Sequence, residues 1–69
     1  MDNTHRQQLT EALIQAALIE SKEISVHLAE VIAYLQRHEH QAALGTLQII
    51  EEPLRFVSSM LIAAVRLTQ

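Results

Sequence analysis

Glu20, Glu23, His27 and Glu30 fall along one edge of a helical projection at spacings of three, four and three. Carboxylates and imidazoles on facing helices converge in this way in bundle proteins that hold two metal ions. Those bundles place His three residues after Glu. Here Glu23 precedes His27 by four, Glu30 follows it by three, and the second half of the chain offers no matching row of inward acids. The edge therefore reads as a hydrated surface steadied by a Glu23–His27 pair at i,i+4. A metal-binding or metal-sensing helical bundle built on these four residues is the alternative function. His38 and His40, which flank Glu39, are a second cluster, but two exposed imidazoles make a weak metal site. They read as a solvated turn whose two rings could change charge together between about pH 5 and 7.

Nucleophilic chemistry has less support. The chain has no cysteine, which excludes thiolate sites and disulfide staples alike. Ser21, Ser25, Ser58 and Ser59 have no strand-turn-helix setting, and no glycine-rich phosphate loop is present. The expectation is a non-enzymatic protein without a cofactor. The five basic residues (Arg6, Lys22, Arg37, Arg55, Arg66) are scattered in a chain of net charge −3, so a phosphate-binding face, and with it nucleic acid, is not expected.

No segment approaches the ~20 apolar residues that span a bilayer. A helix lying on a membrane surface would carry a basic polar face, whereas Glu51 and Glu52 offset Arg55. Met1 to Thr10 is polar and has no signal-peptide core, so a cytoplasmic protein is expected.

The elements that must hold these residues are helical. Of the 69 residues, 49% are hydrophobic and only 3% aromatic, with a single Gly and a single Pro: an aliphatic, alanine-containing profile that favours few, long helices. Thr4 followed by Gln7 fits a capping box and predicts a helix start. Leu13 and Ala17, then Ile24, Leu28, Val31 and Leu35, share one face across the polar patch Glu20–Glu23, so one helix of about 33 residues, roughly 50 Å long, is expected rather than two short ones. A thinner line at seven-residue spacing, Ala12, Ile19, Val26 and Ala33, suits a helix touched from two sides.

The apolar stripe stops after Leu35 and resumes at Ala42, which puts a short turn at Arg37–His40 and makes the helices antiparallel neighbours. In the second helix the 4,3 spacing of Ala43, Leu47, Ile50, Leu54, Val57, Leu61 and Ala64 runs straight through Gly45, whose expected role is close approach of a neighbouring backbone. Pro53 removes one backbone bond and predicts a kink. The apolar sector of this helix covers roughly 200°, about twice that of an ordinary surface helix.

These observations give a single domain over residues 1–69, all-α: an antiparallel hairpin with helices at about 4–37 and 40–68, dimerising into a four-helix bundle. A 69-residue chain cannot cover such a sector alone, because a domain this small buries only about 60% of its surface. A three-helix monomer broken near Lys22 or Pro53 is the competing architecture. The expected function is a non-catalytic interaction module, such as a regulator, adaptor or export-chaperone-like subunit that covers an apolar helix on a client protein. Its contact residues are read as Leu47, Ile50, Leu54, Val57 and Leu61, with Phe56 and Met60 as adaptable edges, divided between a homodimer and a helical client.

Overall fold

A computed structural model describes residues 3–69 and contains two helices, α1 (Asn3–Gln36) and α2 (His40–Thr68), folded back on each other. The expected bounds hold to within one residue. Thr4 lies inside α1 rather than capping it, because the helix already includes Asn3. α1 runs unbroken through Glu20–Glu23, and α2 through Pro53, so the three-helix alternative is ruled out.

The turn is short because the end of α1 caps itself. The Glu39 amide donates to the Tyr34 carbonyl at 2.8 Å and the His38 amide to the Leu35 carbonyl at 3.1 Å, the paired bonds of a Schellman motif. That motif needs a left-handed residue at the position after the cap, and His38 supplies it with φ 61°. Glycine is the usual occupant, because a Cβ in this conformation crowds the following carbonyl. Side chains of the same turn reinforce the cap. The Arg37 guanidinium donates twice to the Glu39 carboxylate, at 3.2 Å each, and lies 5.3 Å from the centre of the Tyr34 ring. The hydrogen bond and then the charge of Glu39 raise the pKa of Arg37 above its ordinary value. α2 begins without a side-chain cap; its first bond is from the Ala43 amide to the Glu39 carbonyl.

The helices meet along a strict heptad. Thr10, Ala17, Ile24 and Val31 of α1 are buried, as are Ala43, Thr46, Ile50, Val57, Met60 and Ala64 of α2. Leu13, Glu20, His27 and Tyr34, with Pro53 and Leu67, fill the alternate positions half-buried. Each helix therefore buries one line at alternating steps of three and four residues. A seven-residue repeat drifts on a 3.6-residue helix, so keeping it in contact wraps the helices around each other. The shape agrees with this. The extents are 54 × 14 × 14 Å, whereas two straight, parallel rods would be only about 5 Å thick in one direction between Cα atoms.

Gly45 does not serve the approach expected of it within the hairpin. A Cβ placed there would meet no atom within 4 Å, and its φ is not positive. Two substitutions test this description. His38→Gly should stabilise the fold by about 1 kcal/mol by relieving the left-handed side chain, and Gly45→Ala by about the same through helix propensity alone. Each should raise the thermal midpoint by roughly 4–8 °C, measured by circular dichroism; a fall in either case would contradict the turn or the open surroundings of Gly45.

Candidate functional site

Small and polar residues make up half of the line along which α1 and α2 meet. Its members include Thr10, Ala17, Glu20 and His27 on α1 and Ala43, Thr46, Pro53 and Ala64 on α2. The two buried threonines satisfy their hydroxyls within their own helices: Thr10 Oγ1 donates to the Arg6 carbonyl at 2.9 Å and Thr46 Oγ1 to the Ala42 carbonyl at 3.1 Å. Of the ten leucines in the chain, only Leu13 and Leu67 belong to this line. The greater number of large aliphatic side chains lie elsewhere.

Most of them occupy positions one residue after each member of the buried line. On α1 these are Ile14, Leu18, Leu28, Ile32 and Leu35, and on α2 Leu44, Leu47, Leu54, Leu61 and Val65; all ten are exposed. In an antiparallel pair the positions that follow the buried line lie on the same side of both helices, so the two rows form one continuous face. Gln7, Glu11 and Thr68, which occupy such positions, border one hollow at the open end of the hairpin together with Thr10 and Leu67. The face carries seven of the ten leucines. Ser21, Ser25, Glu51 and Ser58 form a polar waist at its middle.

The contact residues read from the sequence divide accordingly. Ile50, Val57 and Met60 are buried against α1 and belong to the hairpin core, so Met60 is an interior residue rather than an edge. Leu47 and Leu61 remain 40% and 45% exposed, and with Leu54 they lie on the outer face. Phe56 is also exposed but sits on the other side of α2, where it borders a hollow with Glu20, Ile49 and Pro53. On α1, the stripe expected to run from Leu13 to Leu35 splits in the same way: Leu13, Ala17, Ile24 and Val31 face α2, while Leu28 and Leu35 face out.

The polar edge of α1 is arranged differently from the expected i,i+4 pair. His27 Nδ1 lies 3.5 Å from Glu30 Oε1, three residues on, which is too long for a hydrogen bond, and this nitrogen is buried without a hydrogen-bond partner. His27 and Glu23 border a shared hollow with Lys22 and Val26. Among the described residues, no group of three or more His, Asp or Glu side chains is placed to hold a metal ion. In the turn, the His38 and His40 rings stand nearly perpendicular with centres 6.2 Å apart. No described helix is long and apolar enough to cross a membrane.

No protein-family model matches the chain, and comparisons with curated proteins and with solved structures find no significant match to either.

This division of side chains has an energetic signature. Ile50→Ala, in the core, should cost about 2–5 kcal/mol, whereas Ile62→Ala, on the polar back of α2, should change stability by less than about 0.5 kcal/mol. Denaturant unfolding of both variants checks it; equal losses would mean that Ile62 is as covered as Ile50.

Proposed function

We propose that the chain is a non-catalytic protein–protein interaction module, a regulator, adaptor or export-chaperone-like subunit, whose working form is a symmetric homodimer folded as a four-helix bundle. The observation that carries this reading is the leucine-rich outer face, which no part of the hairpin covers.

Its size suits a second copy. A monomeric protein of 7.8 kDa would expose about 4,400 Å², whereas the hairpin exposes 5,376 Å². The excess is close to the ~800 Å² that each partner buries in a standard interface. The radius of gyration, 15.9 Å, likewise exceeds the ~11 Å of a compact domain of this length.

Its position on the helices suits a bundle. Residues one step along a helix are 100° apart, so the outer rows lie about 100° around each helix from the buried line. In a square four-helix bundle each helix faces two neighbours at nearly a right angle, which is this arrangement. The face carries no basic residue, and its acids, Glu11 and Glu51, are few enough to be placed against a second copy without a large like-charge array. A two-fold axis then pairs the same patch with itself.

Light scattering at low micromolar concentration should give twice the 7.8 kDa chain mass. Leu47→Glu combined with Leu61→Glu should weaken association by about 100-fold or more, because each copy would bury unpaired charge. Ile62→Glu, outside the face, should leave the mass unchanged. A monomer mass for the unaltered chain would overturn the dimer.

A further inference from the structure

The opposite side of the hairpin has a different character. Positions one residue before each member of the buried line carry Ile19, Val26 and Ile49, the three most exposed large hydrophobic side chains among the described residues at 62%, 61% and 60%, together with exposed Phe56. Antiparallel packing brings them together at mid-length, and a shared hollow joins Glu20 of α1 to Ile49, Pro53 and Phe56 of α2.

Acids surround this patch. Glu20, Glu23, Glu30 and Glu52 make up half of the eight carboxylate side chains. Lys22 lies among them and borders a second hollow with Glu23 and Val26, and Arg66, one residue before Leu67, lies on the same side at the end of α2. Glu20, Glu23 and Glu52 form no ion pair among the described residues.

We infer that this face docks a cationic amphipathic helix from a partner protein, its apolar stripe on Ile19, Val26, Ile49 and Phe56 and its flanking Lys or Arg side chains beside the four glutamates. Charge chooses the occupant. A second copy related by a two-fold axis would set the glutamates against themselves, and like charges held together repel. Nucleic acid and anionic lipid surfaces are repelled for the same reason. A helix with basic flanks satisfies both the apolar centre and the acidic border, as in helix-in-groove recognition. This face points away from the leucine-rich one, so docking here does not depend on the dimer and leaves it intact.

The test uses the full chain and a fluorescein-labelled designed helix with Leu at heptad positions a and d and Lys at the flanking positions, followed by anisotropy. The expected result is saturable binding that weakens as salt is raised. Replacing Glu20, Glu23 and Glu52 together by Gln should weaken it about tenfold, and Ile49→Ser with Phe56→Ser should weaken it at least as much. Both variants should keep the helical circular dichroism and the native mass by light scattering. The same peptide with Glu in place of Lys should bind far more weakly. Absence of binding, equal binding of the two peptides, or full affinity in both variants would overturn the inference. So would a loss of self-association in the Ile49, Phe56 variant, which would make the face a contact between copies. Leu47→Glu with Leu61→Glu, which attacks the other face, should leave peptide affinity unchanged, so failure of the dimer and failure of this site are read separately.

Discussion

The contact on which everything else depends is the single narrow line along which α1 and α2 pack, where small residues share the contact with large ones. Ala17, Ala43 and Ala64, with Thr10 and Thr46, occupy buried positions that leucine or isoleucine fill in most paired helices. Interaxial distance follows side-chain size at the contact; here the small residues lie toward the two ends of a 54 Å rod, and Ile24, Val31, Ile50, Val57 and Met60 fill the line between them. The core is thin, and among the described residues no side chain is completely enclosed. Apolar surface is stabilising only when it leaves water, and a hairpin that places eight of its ten leucines outside its own core forgoes much of that stabilisation within the single chain.

The polar members of the buried line show how so narrow a contact tolerates them. A hydroxyl returned to a carbonyl four residues back needs no partner from the other helix, and both buried threonines use this bond. Glu20 sits half-buried and borders a hollow on the acidic side, where its carboxylate remains near solvent, whereas half-buried His27 leaves its Nδ1 without a hydrogen-bond partner. The turn is handled with equal economy: two backbone bonds and an Arg37–Glu39 pair close it, with a strained histidine in the place of glycine.

The two outer sides of the hairpin are unequal, and that inequality shapes the functional reading. One side is broad, leucine-rich and nearly free of charge, suited to a copy of itself. The other is a shorter apolar patch bordered by four glutamates, suited to something basic. The hairpin as described leaves both open to solvent. The proposed dimer and the proposed helical partner thus occupy separate surfaces, as expected of an adaptor that must assemble and still bind.

Helix content, helix length and the place of the turn were legible in the residues themselves. Apolar side chains at a 3.6-residue period, no helix breaker between Thr4 and Gln36, and an interruption at Arg37–His40 leave little freedom. The uncovered apolar area could also be anticipated, since Leu47 and Leu61 proved to be exposed. The turn's closing residue was not legible, because histidine gives no local signal for a left-handed backbone. Nor was the assignment of each apolar residue to a face. Starting from Ala43, a line through Leu47 and Ile50 and a line through Thr46 and Ile50 have equally good helical spacing, and hydrophobicity favours the first. The fold adopts the second, burying Thr46, Pro53, Met60 and Leu67 between the helices and turning Leu47, Leu54 and Leu61 outward. Periodicity fixes which residues share a sector of one helix, but which line within that sector becomes the contact depends on how closely a second helix can approach, and that exists only once both are packed.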